Sequence, residues 1–127
     1  MMNEIIPNLY IGDYQDAKDR PKDFVSINVA HEHLDTLPES VYLPWLRPDG
    51  NRVAVDISLL YLIAENIDRD LKHGRKVLVN CNMGQERAPL TVVWYLIVKK
   101  GMTLDDAYKL VKEKRKQTLD RRGWIGD

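Results

Sequence analysis

Apolar positions fall in short runs along the chain, and their spacing separates strands from helices. Residues 5–11, with Pro7-Asn8 near the start and Gly12-Asp13 just beyond, read as a first short strand running into a turn. Residues 14–19 read as a brief helix that stops at Arg20-Pro21, because proline disfavours helix at the residue before it. Residues 24–29 alternate and are β-branched, which predicts a second strand, and residues 41–43 predict a third, broken by Pro44. Residues 45–52 read as a loop punctuated by Pro48-Asp49-Gly50. Ile57, Leu60, Tyr61, Ala64, Ile67 and Leu71 recur at three- and four-residue intervals, predicting an amphipathic helix over about residues 55–72 with a stop at His73-Gly74. Residues 77–79 are a short apolar strand, and residues 90–98 are apolar nearly all round, as expected of a buried helix ended by Lys99-Lys100-Gly101. Thr103, followed by Asp105 and Asp106, caps a last helix reaching about Lys116.

Strands and helices in this order predict an α/β fold, with a central sheet of about four to five strands flanked by helices and a ligand site beyond the strand C-termini. The chain's 127 residues suffice for one domain with a single core. Between the strand at 77–79 and the helix at 90–98 lies Cys81-Asn82-Met83-Gly84-Gln85-Glu86-Arg87. At such a turn the first backbone N–H groups of the helix are unpaired and its dipole is positive, so the loop is suited to hold an anion. Gly84 lets the loop curl so that its amides converge. The same amides and the Arg87 guanidinium would favour a Cys81 thiolate. A thiolate beneath a phosphate cradle, with a guanidinium able to grip two oxygens, is what phosphoryl transfer to sulfur needs.

These seven residues resemble the signature of the Cys-x5-Arg phosphatases, the protein tyrosine and dual-specificity superfamily, usually His-Cys-x-x-Gly-x-x-Arg followed by Ser or Thr. Cys81, Gly84 and Arg87 match in register, whereas Asn80 stands for the histidine and Ala88 for the hydroxyl residue. Asn8-Leu9-Tyr10-Ile11-Gly12 and Ile27-Asn28-Val29-Ala30 resemble the N-terminal strands of small dual-specificity phosphatases, and Met102-Thr103-Leu104 with the basic residues after Val111 resemble their last helices. The resemblance implies a protein tyrosine phosphatase-like fold and hydrolysis of phosphotyrosine, and also of phosphoserine and phosphothreonine, through a cysteinyl-phosphate. It implies Cys81 as nucleophile, with residues 82–87 holding the phosphate. In that family the general acid lies about thirty residues before the cysteine. Asp49 is 32 residues before Cys81 and matches, with Asp56 the rival, although Asp56 also suits the start of the following helix. No metal or other cofactor is called for.

Composition narrows the partners. A single cysteine excludes an internal disulfide framework, and no signal-like or membrane-length apolar segment is evident, which together predict a cytoplasmic protein without membrane contact. Residues 1–56 carry ten acidic and five basic side chains, and residues 99–122 nine basic and four acidic. The basic end reads as the solvated face of a helix rather than a nucleic-acid surface, leaving a phosphorylated protein or another phosphomonoester as the expected partner. His31 and His33 have no further ligand at suitable spacing, so they do not read as a metal clamp. Asn80 can still donate a hydrogen bond but brings no charge, and Ala88 removes a donor to the departing sulfur, which predicts slow phosphoenzyme hydrolysis. Two alternatives are a catalytically weak phosphate-binding module, favoured by those two departures, and an RNA 5′-triphosphatase, which some relatives of the family are.

Overall fold

The computed structural model describes residues 1–34, 36–37, 39–49 and 52–125, without the side chains of residues 47–49, 52 and 53. Its centre is a five-stranded sheet of β1 (Asn3–Ile6), β2 (Leu9–Gly12), β3 (Phe24–Asn28), β4 (Val41–Tyr42) and β7 (Lys76–Asn80), in the order β1-β2-β7-β3-β4. β1 and β2 are antiparallel, and the other neighbours are parallel. The stretch expected as one strand over residues 5–11 is thus a hairpin. Asn8 takes a left-handed φ of 70°, a conformation its short polar side chain tolerates, and this reverses the chain after Pro7.

The reading of residues 45–52 as a loop also requires correction. β5 (Leu46–Asp49) and β6 (Arg52–Val55) form a separate antiparallel pair, with Asp49 in register with Arg52. Pro48 suggested a break, but in a two-stranded ribbon each strand has an outward edge where a missing N–H costs nothing. Val55 therefore ends a strand instead of opening the next helix, α2 (Ile57–Lys72). Asp56 is the N-cap of α2 and accepts a hydrogen bond from the Leu59 N–H.

α2 packs on α3 (Arg87–Lys100), which packs on α4 (Leu104–Lys114), and α2 and α3 lie against β7. The short α1 (Tyr14–Lys18) contributes Ala17 to a smaller apolar cluster with Phe24, Leu37 and Leu78. β7 accordingly alternates: Val77 and Val79 belong to the main core and Leu78 to the smaller one. Among the described residues no helix is long and apolar enough to cross a membrane.

Register fixes where a site can form. Asn80 of β7 pairs with Gly12 of β2 on one side and Asn28 of β3 on the other, so these three parallel strands end level. The residues just beyond their ends are brought to one edge: Asp13 and Tyr14 after β2, a 3-10 turn at His31–His33 after β3, and Cys81 after β7.

Candidate active site

Cys81 is 2% exposed, at the base of a cavity of about 110 Å³ lined by Cys81, Asn82, Met83, Gln85, Glu86 and Arg87. The loop's carbonyls explain its shape. Asn82 O accepts from the Tyr14 N–H at 2.9 Å, and Gln85 O from the Leu119 N–H at 2.8 Å. Gly84 O accepts from Arg115 Nε at 2.7 Å, and Met83 O from Arg115 Nη2 at 3.4 Å. Across a trans peptide the carbonyl and the next N–H point in opposite directions, and no peptide bond among the described residues is cis. With four successive carbonyls drawn outward, the N–H groups of Met83, Gly84, Gln85 and Glu86 are turned to the other side of the loop. This makes a concave row of donors suited to an oxyanion.

Gly84 has φ 69°, and a Cβ there would stand 2.5 Å from Arg115 Nη2 and 2.6 Å from Gly12 O. Only glycine fits without moving the backbone.

Arg115, which no motif or spacing in the sequence singles out, is the loop's support. It is 1% exposed and donates also to Met1 O, Ile11 O and Asn3 Oδ1. Burial lowers its pKa from the usual arginine value, opposed by attraction to Asp16 and Asp13.

Arg87 opens α3, which begins three residues ahead of the apolar run at 90–98, and its two terminal nitrogens donate to the two oxygens of Glu32 at 2.6 and 2.7 Å. This bidentate pair raises the pKa of Arg87 and holds the Glu32 carboxyl at about 2, chiefly through the hydrogen bonds themselves. Glu32 uses one N–H on each terminal nitrogen. Among the described residues, Nε–H and the two remaining N–H groups have no other partner, so the guanidinium is fixed by Glu32 with donors left to meet a second anion.

Glu86, one of the residues expected to hold the phosphate, pairs with Arg121 at 3.1 Å. Asn80 is fully buried and donates to Asn28 Oδ1 and to Cys81 O, both at 3.4 Å, while its own Oδ1 lacks a partner among the described residues. Ala88 is fully buried beside the loop. The side chain of Asp49 lies outside the described residues. Its strand is anchored at Trp45, whose indole N–H donates to Thr91 Oγ1 at 2.6 Å, and the Thr91 hydroxyl donates to Arg87 O at 2.7 Å. A wider cleft of about 550 Å³ runs beside this hairpin, and its described lining, Pro44, Trp45 and residues 54–58, brings neither a nucleophilic thiol nor a cation.

The profile of the dual specificity phosphatase catalytic domain matches residues 9–127. The chain belongs to that family. The dual specificity phosphatase chain is 32% identical over 135 residues to Dual specificity protein phosphatase 1B of Arabidopsis thaliana, covering 98% of this chain and 77% of the relative. It is 29% identical over 121 residues to Tyrosine-protein phosphatase vhp-1 of Caenorhabditis elegans, covering 87% of this chain but 18% of the relative, so it spans less than a fifth of that protein's length. The crystal structure of human DUSP28 superposes with a TM-score of 0.79 at 18% identity, covering 97% of this chain and 90% of that one, which shows the shared fold. Family and fold bear out the resemblance read from the Cys81 loop and its flanks. In this dual specificity phosphatase chain the loop keeps the family's cysteine, glycine and arginine while both neighbours of the motif differ.

Proposed function

We propose that this protein hydrolyses phosphate monoesters, phosphotyrosine foremost and also phosphoserine and phosphothreonine, through a cysteinyl-phosphate. The observation that carries this is the loop over Cys81 with its four carbonyls tied outward, beside an arginine held in place by Glu32. In the first step the Cys81 sulfur attacks phosphorus, forming S–P as the P–O bond to the alcohol breaks. Asp49 gives the leaving oxygen its proton. In the second, water attacks phosphorus, Asp49 takes a proton back, and S–P breaks to release inorganic phosphate and the thiolate. The amides of residues 83–86 and the free donors of Arg87 bind the equatorial oxygens throughout, where charge builds in each transition state.

Asp49 takes the acid role because of its offset from Cys81 and because its hairpin is rooted, through Trp45 and Thr91, on the first turn of the helix that carries Arg87. Asp56 is occupied as a cap. The named relatives are tyrosine and dual specificity protein phosphatases, so monoester hydrolysis is carried forward in preference to RNA triphosphate cleavage or binding alone. A catalytic thiol needs a reducing compartment, which supports a cytoplasmic location.

Hydrolysis of an aryl phosphate by the wild-type protein, beside Cys81→Ser and Asp49→Ala, tests this reading. Cys81→Ser is expected to abolish turnover, and Asp49→Ala to lower kcat by about 10² to 10⁴. Turnover that survives Cys81→Ser would refute the mechanism.

A further inference from the structure

The 3-10 turn after β3 touches the phosphate loop at both ends. Glu32 grips Arg87 at its far end. The next residue, His33, reaches Asn82 at its near end, with Nε2 at 2.8 Å from Asn82 Oδ1. A carboxamide oxygen only accepts, so the imidazole donates from Nε2. His33 is itself fixed on two sides. Its carbonyl accepts from Asn28 Nδ2 at 3.2 Å, and its ring stacks on that of Tyr14, 3.9 Å between centroids and 7° from parallel. Tyr14 is also the residue whose N–H takes Asn82 O. Residue 82 is thereby held by side chain and by carbonyl.

A polar circuit closes around the nucleophile. Asn80 Nδ2 donates to Asn28 Oδ1 and Cys81 O, Asn28 Nδ2 to His33 O, and His33 Nε2 to Asn82 Oδ1. The two neighbours of Cys81 in the chain, Asn80 and Asn82, are linked through β3 and the turn beyond it.

We propose that His33 is a positioning residue of the phosphate loop: by holding Asn82 it orients the peptide between residues 82 and 83, so that the Met83 N–H faces the bound phosphate. This deepens the phosphatase reading and rests on it. A histidine from residue 33 thus supplies loop orientation in a chain whose residue before the cysteine is the uncharged Asn80. Without the Nε2 donor, the carboxamide of Asn82 is released, and the first amide of the cradle is held only through the Tyr14 N–H on Asn82 O.

The test uses the chain's single cysteine. Alkylation of Cys81 by iodoacetate is followed by mass with increasing inorganic phosphate, and the half-protecting concentration reports on the loop without turnover. His33→Phe keeps a ring against Tyr14 but has no donor, whereas His33→Gln restores an N–H at comparable reach. His33→Phe is expected to raise the half-protecting phosphate concentration about five- to tenfold, the worth of one hydrogen bond. Asn82→Ala should give a similar loss, the double variant no more than either single one, and His33→Gln should recover most of it. Half-protection in His33→Phe within twofold of wild type overturns the proposal, as does His33→Gln behaving like His33→Phe. A wild-type protein that phosphate protects but that does not hydrolyse an aryl phosphate removes the phosphatase reading, and the protection data still decide the role of His33. Phosphate that fails to protect even the wild-type thiol removes both.

Discussion

Arg87 and Arg115 carry the same charge and are put to opposite uses by the direction of their donors. Arg87 spends two on Glu32, and its other guanidinium donors have no partner among the described residues, while Arg115, buried beneath the loop, gives its donors to main-chain carbonyls and Asn3. Replacing Arg115 by methionine leaves the buried Gly84 O without its Nε donor, and about 1–3 kcal/mol of stability should be lost in urea unfolding, with kcat/KM falling as well. An unfolding midpoint equal to wild type would contradict that role. The Glu32 pair makes a pH prediction. Its carboxyl is lowered from 4.5 to about 2 in the folded protein, so the pair's stabilisation is complete above about pH 4.5 and lost as pH falls through about 2. The gap in thermal midpoint between wild type and Glu32→Gln should stay constant from pH 7 to 5 and close on further acidification; a gap unchanged at pH 2 would rule the linkage out. Neither partner could be matched from sequence, because 55 residues separate Glu32 from Arg87 and 31 separate Arg115 from Gly84. Cys81, Gly84 and Arg87 were legible because one contiguous loop holds all three.

Among the elements, those with a strong period and clear caps were read well, and those defined by pairing were not. Thr103 caps α4 as expected, its side chain accepting from the Asp106 N–H, and Asp56 does the same for α2. The β1–β2 hairpin was missed because residues 5–11 read as one strand straight through Asn8, and the β5–β6 hairpin because Pro48 read as a break, while cross-strand hydrogen bonds set the outcome. The β5–β6 root offers a test of how Asp49, the proposed general acid, is placed. Thr91→Val removes the acceptor for the Trp45 indole and leaves that N–H buried, at a cost of about 1–3 kcal/mol. With the hairpin loosened, kcat should fall while KM changes little, which steady-state kinetics on an aryl phosphate would show. Asp56→Ala should cost about 1 kcal/mol of stability as a lost cap and leave kcat intact. A collapse of kcat in Asp56→Ala comparable to that in Asp49→Ala would transfer the acid role to residue 56.

At the scale of the molecule, three level parallel strands let residues distant in sequence meet at one edge, and the rest of the chain buries what surrounds them. That burial bears on Ala88, which is fully enclosed and brings no hydroxyl toward the sulfur. If departure of the thiolate is the step left unaided, product should appear in a burst equal to the enzyme concentration before slow turnover, and Ala88→Ser should raise the steady rate and shrink the burst. Rapid-mixing traces linear from the start would show that another step limits the wild type.

The solitary thiol under the loop has a further consequence under oxidative stress. Peroxide would convert Cys81 to the sulfenic acid, and no other cysteine among the 127 residues can capture it as a disulfide. Recovery then falls to small thiols entering from solvent or to ring closure with a neighbouring backbone nitrogen, and glutathione concentration would set how long an oxidised molecule stays repairable before further oxygen is added.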